Sequence, residues 1–497
     1  MMSKGSSLKQ KTIKGLFWSM GDLIANQGIQ FIIQIVLARL LLPEHFGVIG
    51  MILVFILIST IIVDSGFSQA LIREQKVTQA DYSTVFYFNL LLSCGLYGFL
   101  FVSAPFVSDF FNEPQLTLIL RVLSLGIIFN ALGIVQSTML AKDIDFKTRT
   151  KINLISGVLS GIIAVILAIL GFGVWSLVIR NLSMQFFYLI FLWLYKDWKP
   201  SLLFSYHSFK RLFGFGSKLM LAGLISVIYS NIYYVLIGKM YSVTHLGYYT
   251  NAVKVTEAAS LSITAALQRV TYPVLSEIQD EEERLKYGFR KIIRISAFIN
   301  FPLMVGLAAI ADPLVNLLFG DKWMPMVIYF QLLCIAGMLY PVHAIDLNIL
   351  QVKGKSNLYL QLSIVRKVIL TILILLAIWF ELGVIGLIGV LVVQSFIEFT
   401  INSYYAGKEI SYSTFDHIRD ILPIFSITVA MGLLVTFIGM MLPVGNLMKI
   451  TIQIIVGFSI YIAISRATKV QELKMLLDFL FPIMKNLFIK KEKVANN

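Results

Sequence analysis

Fourteen apolar stretches run through the chain, and each is long enough to cross a membrane as an α-helix. About 20 apolar residues span roughly 30 Å of hydrocarbon. Stretches near that length cover residues 13–37, 46–64, 83–107, 116–140, 151–171, 174–195, 211–237, 246–269, 289–311, 325–346, 358–380, 384–405, 418–442 and 447–465. Several connections, such as residues 171–173, are so short that consecutive helices must run antiparallel. Because backbone polar groups in lipid need internal partners, we predict an all-α polytopic bundle of about 14 helices.

The positive charges are distributed as expected for a membrane protein with both ends on one side. The chain is 58% hydrophobic and only 14% charged, which argues against a soluble protein. If the N-terminus is cytoplasmic, Lys and Arg residues such as Lys147, Lys291 and Arg466 concentrate in the inner segments, and few lie in the outer ones. This asymmetry predicts two cytoplasmic termini and an even number of spans. It also accounts for most of the +14 net charge, so no nucleic-acid partner is expected.

The first apolar stretch carries polar residues along one side. Asp22, Asn26, Gln30 and Gln34 recur every fourth residue and fall within an arc of about 140° on a helix. They also interrupt the apolar run that a cleaved signal peptide would need, so we expect this span to be retained. A polar side cannot face lipid. It must face the interior of the bundle or a water-filled cavity.

Three pairs of similar segments indicate that the chain contains two homologous halves. The pairs are LARLLLPEHFG at 37–47 with LIGKMYSVTHLG at 236–247, APFVSDFF at 104–111 with DPLVNLLF at 312–319, and GFGVWSLV at 171–178 with ELGVIGLI at 381–388. The offsets of 200, 208 and 210 residues are nearly constant, which predicts two parallel halves of six spans each. We therefore predict one lobe at 1–200, a second lobe at 201–410, two additional spans at 411–470 and a basic cytoplasmic tail at 471–497.

The chain also resembles a known family. It is similar to the Wzx-type polysaccharide flippases of the multidrug/oligosaccharidyl-lipid/polysaccharide (MOP) exporter superfamily, closest to the colanic-acid or lipopolysaccharide exporter branch. The segments that carry the likeness are LARLLLPEHFGVIG, GFSQALIREQKVTQADYSTVFYFNLLL, LGYYTNAVKVTEAASLSITAALQRVTYPVLSEIQDEEERL and DPLVNLLFGDKWMP, and it extends over residues 10–465.

This resemblance implies both a fold and a function. The expected fold has two six-helix lobes arranged as a V, with spans one, two, seven and eight lining a central cavity. The expected activity is alternating-access transport of an undecaprenyl-pyrophosphate-linked oligosaccharide. Transport would run from the cytoplasmic to the periplasmic leaflet of the bacterial inner membrane, for lipopolysaccharide or exopolysaccharide synthesis.

Polar stripes occur on two further spans that the resemblance assigns to the cavity. On span seven Lys218, Ser226, Tyr229 and Tyr233 share an arc of about 80°, and a similar stripe on span eight includes Lys254 and Glu257. The alternative is that these side chains only form hydrogen bonds between packed helices.

Binding a pyrophosphate in a partly dehydrated cavity requires cationic side chains on the lining helices. The candidate substrate-binding residues are Lys254, Lys218, Arg269, Arg39, Lys239 and Arg180. Lys254 is the strongest, because it lies on the polar face of span eight and too deep to reach the interface easily. Alternatives remain for others: Arg269 can reach the inner interface, Lys254 and Glu257 can neutralise each other, and Arg180 can bond a backbone carbonyl.

Coupling to an ion gradient would need a titratable group within the membrane. Asp22 and Lys218 occupy equivalent places in the two halves, so we hypothesise that they pair when the lobes close on the cytoplasmic side and separate when Asp22 is protonated. Asp64 is a second candidate for the proton site, and Glu257 is a third candidate for coupling or gating. Local bonding within each lobe is the alternative, and the sequence does not distinguish protons from sodium ions.

The sequence contains no recognisable enzyme signature. The five histidines are scattered and none begins an HExxH motif, so we expect no catalytic residue, no metal site and no cofactor. Cys94 and Cys334 both lie in apolar runs, so no disulfide is expected. The competing functions are a multidrug or small-metabolite cation antiporter of the same superfamily and a membrane glycan polymerase or ligase. The expected partners are the lipid-linked oligosaccharide, membrane lipids and the polysaccharide polymerase and export machinery.

Overall fold

The computed structural model describes residues 26–475, leaving out the side chains at 261–263, 265, 266, 269 and 270. Within that part of the chain the regular elements are α-helices and one short 3-10 turn at Asp321–Trp323, which confirms the all-α prediction. The helices are α1 at 26–40, α2 at Pro43–Asp64, α3 at Phe67–Arg73, α4 at Gln79–Phe111, α5 at Leu116–Leu123, α6 at Leu125–Lys142, α7 at Phe146–Ile169, α8 at Val174–Tyr195, α9 at Tyr206–Met240, α10 at Val243–Glu277, α11 at Glu282–Ala309, α12 at Ala311–Phe319, α13 at Met326–Gly337, α14 at Tyr340–Val352, α15 at Ser356–Trp379, α16 at Gly383–Lys408, α17 at Thr414–Met441 and α18 at Asn446–Ala467, and residues 471–475 are also helical.

Twelve of the predicted spans coincide with described helices that are long and apolar enough to cross a membrane. The first predicted span is represented by α1 alone, because residues 1–25 lie outside the description. The eighth corresponds to α10, a 35-residue helix that is not among those twelve. The polytopic helical architecture is therefore confirmed, while the count of fourteen stays a prediction.

The second predicted span ends in a sharp turn that the apolar pattern does not show. Ser65 and Gly66 both take left-handed backbone conformations, with φ of 47° and 71°, so α2 stops and α3 begins in a new direction. A Cβ atom at Gly66 would overlap the backbone carbonyl oxygen of Gly216 in α9. The small residues at this turn therefore let α9 approach the α2–α3 junction at backbone distance.

The chain divides into two compact units, Met1–Asn251 and Ala252–Asn497, and the boundary falls within α10. In the first unit α9 packs on α2, α3 and α4. An aromatic cluster fixes this packing: Phe67 of α3 is fully buried, and its ring centroid lies 6.1 Å from both Phe209 and Phe213 of α9. The predicted division at 200, 410 and 470 stays a prediction.

The second unit has a core of large apolar side chains. Phe289, Phe301, Phe319, Trp323 and Phe330 are almost completely buried and come from α11, α12, the 3-10 turn and α13. Burying aromatic side chains of this size is a major source of packing stability.

Candidate functional site

The two repeat signatures meet at their glycines. A Cβ atom at Gly47 in α2 would overlap the carbonyl oxygen of Val243, and one at Gly247 in α10 would overlap that of Pro43. Each glycine thus lies against the residue that stands four positions before the other glycine. The first turns of α2 and α10 are therefore in backbone contact, at the end of the helices that the charge distribution predicts to be periplasmic.

A side-chain hydrogen bond reinforces this contact. Thr244 Oγ1 donates to Glu44 Oε1 over 2.9 Å, and the two residues are 200 positions apart, which is the offset of the sequence repeat. Equivalent positions of the two repeat signatures therefore contact each other within the first unit. We call the contact formed by Pro43, Glu44, Gly47 and their equivalents Val243, Thr244, Gly247 the outer contact.

A polar network joins α1, α8 and α10. Gln34 is buried, and its Nε2 donates to Asn251 Oδ1 over 2.5 Å. Its Oε1 accepts a hydrogen bond from Nη1 of Arg180 over 3.1 Å, and Oε1 of Gln30 accepts one from Nη2 over 2.6 Å. Two residues of the predicted α1 stripe therefore hold the guanidinium of a predicted binding residue, and one of them also bonds α10.

Arg180 lies well inside its helix. It follows the first residue of α8 by six positions, or about 9 Å at 1.5 Å per residue. Among the residues that the structure describes, no carboxylate lies within 4.0 Å of its guanidinium. The two glutamine carbonyls satisfy two of its five N–H donors without cancelling its charge. A cation at such a depth without a described carboxylate beside it costs several kcal/mol, which favours binding of an anion.

Glycines of α7 determine how close α1 approaches. A Cβ atom at Gly157 would lie 2.7 Å from Nε2 of Gln30, and one at Gly161 would overlap the side chain of Ile33. Larger residues at these two positions would displace α1 and with it the carbonyl groups that orient Arg180.

The remaining predicted polar residues of the first unit differ in burial and in their contacts. Tyr233 is buried and stacks on Tyr249 with ring centroids 6.0 Å apart, whereas Tyr229 and Asn26 are half-buried. Asp64 at the end of α2 accepts hydrogen bonds from the backbone N and Oγ of Ser68, at 3.1 and 2.6 Å. This carboxylate therefore bonds the start of α3.

The other predicted cations with described side chains are exposed. They are Arg39, Lys218, Lys239 and Lys254. Lys239 donates to the carbonyl of Phe110 and lies 4.9 Å from the centre of its ring, at the end of α4. Lys254 and Glu257 are one turn apart on α10, and both are exposed. Asp22 and the side chain of Arg269 lie outside the described residues.

One residue of the network was missed in the sequence. Asn251 lies one turn after Gly247, and a polar residue one turn beyond a repeat signature is the signal that would have identified it. No group of three or more His, Cys, Asp or Glu side chains within residues 26–475 is arranged to hold a metal ion.

Comparisons of the sequence point to polysaccharide synthesis. The sequence model of a family described as "Polysaccharide biosynthesis protein" matches residues 36–328. A protein of Klebsiella pneumoniae described as "Uncharacterized membrane protein in cps region" is 27% identical over 465 residues, 92% of this chain and 95% of that protein. The "Lipopolysaccharide biosynthesis protein WzxC" of Escherichia coli (strain K12) is 26% identical over 372 residues, which cover 72% of this chain and 74% of WzxC.

Among solved structures, the chain is similar to the "Lipid II flippase MurJ, inward closed conformation". The TM-score is 0.70 at 14% sequence identity, and the match covers 94% of this chain and 100% of that chain. A likeness at this identity shows the fold alone.

Proposed function

This chain belongs to the family of polysaccharide biosynthesis proteins, and from that membership we propose that it is a flippase for lipid-linked oligosaccharides. It moves undecaprenyl-pyrophosphate-linked units from the cytoplasmic to the periplasmic leaflet of the inner membrane. The names of the relatives and of the flippase with a similar fold support this reading. The transported units are used to build a lipopolysaccharide or an exopolysaccharide.

Such transport has a defined physical requirement. The sugars and the pyrophosphate must be kept out of hydrocarbon, because desolvating a charged or polar group without a partner is costly. The isoprenoid tail can remain in lipid throughout. The protein therefore needs a polar path with cationic side chains beside an otherwise apolar surface.

The observation that carries this proposal is the environment of Arg180. Its guanidinium is held in a fixed orientation by Gln30 and Gln34, and no described carboxylate lies beside it. Arginine binds phosphate oxygens through two parallel N–H groups, and the N–H groups not bonded to the glutamines remain for a ligand. We assign Arg180 as a phosphate-binding residue during passage of the headgroup.

Alternating access requires the outer contact to open and close. In the structure α2 and α10 touch at Gly47 and Gly247, and the bond from Gln34 to Asn251 lies one turn further along α10. Separation of α2 from α10 would break the Thr244–Glu44 bond and release Gln34 from Asn251. In this scheme, opening of the outer contact and release of the headgroup from Arg180 occur together.

The two competing functions make different demands. A cation antiporter needs carboxylates in its binding site, whereas the network around Arg180 contains one cation and three neutral amides. A polymerase or ligase needs reactive groups, and none of the described residues forms such a constellation around Arg180. Coupling to a proton or sodium gradient, through Asp22, Asp64 or Glu257, remains part of the proposal, as do contacts with a polymerase and export machinery.

Reconstituted protein tests the function directly. Proteoliposomes carrying the native undecaprenyl-pyrophosphate-linked oligosaccharide in one leaflet would be probed with an impermeant glycosidase that reaches only the other leaflet. We expect the wild-type protein to expose the substrate faster than empty vesicles. Failure of correctly inserted protein to move any such lipid would refute the proposal.

Variants then test Arg180. We expect Arg180→Gln to reduce the initial rate roughly tenfold or more, because a charge-assisted hydrogen bond to phosphate is lost, and Arg180→Lys to retain part of it. Arg121→Gln is the matched control. Arg121 bonds the carbonyl of Phe101 and lies over its ring, outside the network, so the rate should be unchanged. Equal rates for Arg180→Gln and the wild type would remove Arg180 from the site.

A further inference from the structure

A cationic cleft lies where α3 faces the start of α9, at the end of the first unit that the charge distribution predicts to be cytoplasmic. It has a volume of about 530 Å³. Its lining includes Arg73, Lys76 and Arg211 together with Phe215 and a single carboxylate, Glu74. None of these residues is part of the Arg180 network or of the outer contact.

Two of the cations in the cleft have no carboxylate partner among the described residues. Arg211 is paired, since Nη2 lies 2.6 Å from Oδ1 of Asp81 and Nε lies 3.7 Å from Oε1 of Glu74. By contrast, no carboxylate among residues 26–475 lies within 4.0 Å of the charged groups of Arg73 and Lys76. Arg73 and Lys76 are thus the two cations of the cleft without an ion-pair partner, while Arg211 is shared by two carboxylates.

An aromatic ring positions one of these charges without neutralising it. The guanidinium carbon of Arg73 lies 4.4 Å from the centroid of the Phe215 ring. A cation–π contact of this kind fixes the head group and leaves its N–H donors at the edge of the plane available. Phe215 and Leu212 also give one wall of the cleft an apolar surface.

The wall formed by α3 is anchored at both ends. Lys142 donates from Nζ to the carbonyls of Leu71 and Glu74 and so satisfies the C-terminal end of α3. At the other end of α3, Gly66 touches the backbone of Gly216, and Phe67 packs on α9. In this structure direct contacts therefore hold the two walls together and form the cleft without a ligand, which reduces the entropic cost of binding.

The ligand that fits is an anion with two charges and an apolar extension. A pyrophosphate that links a lipid to a sugar carries two negative charges, one for each of the two cations that lack a carboxylate partner. Its isoprenoid tail can lie along an apolar wall and the surrounding lipid, while the sugars extend into water.

We propose that this cleft, formed by Arg73, Lys76 and Phe215, is a separate phosphate-binding site that captures the pyrophosphate of the lipid-linked substrate at the cytoplasmic leaflet before transport. This inference rests on the proposed function. The cleft acts as a first binding site, and Arg180 binds the headgroup later, nearer the outer contact.

Binding to purified protein tests the cleft. Protein in nanodiscs of phosphatidylcholine would be titrated with undecaprenyl pyrophosphate, and in parallel with phosphatidylglycerol and with inorganic pyrophosphate. We expect Arg73→Gln/Lys76→Gln to weaken undecaprenyl pyrophosphate binding roughly tenfold or more, because two charged contacts are lost. The Arg73→Lys/Lys76→Arg variant keeps both charges and should bind within a few-fold of the wild type.

A charge-matched control separates the cleft from the general positive field. Lys151 and Lys291 are exposed on segments predicted to be cytoplasmic, and Lys151→Gln/Lys291→Gln removes the same charge. This variant should bind like the wild type. Equal weakening in both double variants would mean that only net charge matters, which would overturn the assignment.

The other arms identify the source of the phosphate. If phosphatidylglycerol binding falls as much as undecaprenyl pyrophosphate binding, the cleft is a general phospholipid site and the assignment to substrate is wrong. Unchanged binding in Arg73→Gln/Lys76→Gln, while the wild type binds and flips, would overturn the cleft alone. A wild-type protein that neither binds nor flips the lipid would instead overturn the proposed function.

Discussion

Gly47 and Gly247 hold equivalent positions in the two sequence repeats, and each lies against the backbone carbonyl of the residue four positions before the other. Helices can approach at backbone distance only where a Cβ atom is absent. The same pair of glycines thus marks the repeat in the sequence and forms the closest approach of α2 to α10.

The first prediction concerns these glycines. Gly47→Ala places a methyl group where the carbonyl of Val243 lies, so we expect the outer contact to stay open and transport to fall strongly. In a variant lacking both native cysteines, Thr250→Cys should be protected from an impermeant maleimide, because Thr250 is buried. Addition of Gly47→Ala should make it reactive.

Gly95→Ala is the control for this experiment, since no atom outside its own helix turn lies within 4 Å of the added carbon. It should transport normally and leave Thr250→Cys protected. Protection of Thr250→Cys in the Gly47→Ala background would contradict the view that these glycines allow the contact.

The second prediction concerns the bond between Gln34 and Asn251. Gln34→Leu and Asn251→Leu should each slow transport, because each leaves a buried polar partner unsatisfied at a cost of about 1–3 kcal/mol. The double variant should be slowed less than the product of the two single effects, with a coupling energy of about 1 kcal/mol in initial rates. Strictly additive effects would mean that this bond is not formed during the cycle.

The third prediction concerns the stability of the second unit. Asp420 in α17 accepts hydrogen bonds from Nε and Nη2 of Arg290 in α11 and from the hydroxyl of Tyr412. Burial and the neighbouring Asp420 carboxylate raise the pKa of Tyr412 above its usual value, so this hydroxyl stays a donor. Asp420→Asn should therefore lower the free energy of unfolding by about 2–4 kcal/mol and reduce the melting temperature in detergent.

Asp416→Asn is the matched comparison for Asp420→Asn. Asp416 is exposed and its carboxylate bonds Ser413 at the start of α17, so Asp416→Asn should lower the melting temperature much less than Asp420→Asn. Equal melting temperatures for the two variants would contradict a structural role for the Arg290–Asp420 pair.

The fourth prediction separates two roles of Lys254. If Lys254 binds the substrate phosphate, Lys254→Ala should abolish or severely reduce flipping, Lys254→Arg should retain much of it, and Glu257→Gln should be better tolerated. If Lys254 and Glu257 only neutralise each other, the two neutral variants should do comparable damage and the double variant should recover. Initial rates in proteoliposomes distinguish these outcomes.

The sequence alone determined the helical architecture and the class of function. Twelve apolar stretches became the helices expected of them, because length and hydropathy are local properties that the chain carries wherever it folds. The polar stripe on α1 was also visible in the sequence, because a polar residue at every fourth position of a span must avoid lipid. The same holds for Arg180, because a charged residue within an apolar span is costly in lipid. The repeat of the signature around Gly47 and Gly247 was visible too.

Only the tertiary structure decided which of these residues meet. The rotation of each helix about its axis placed Gln30 and Gln34 on Arg180 and brought in Asn251, which is not one of the predicted site residues. The repeat predicted that Gly47 and Gly247 are equivalent but not that they face each other. Helical periodicity gives the direction of a side chain relative to its own axis, whereas the partner depends on how neighbouring helices pack, and that is decided by contacts between residues far apart in the chain.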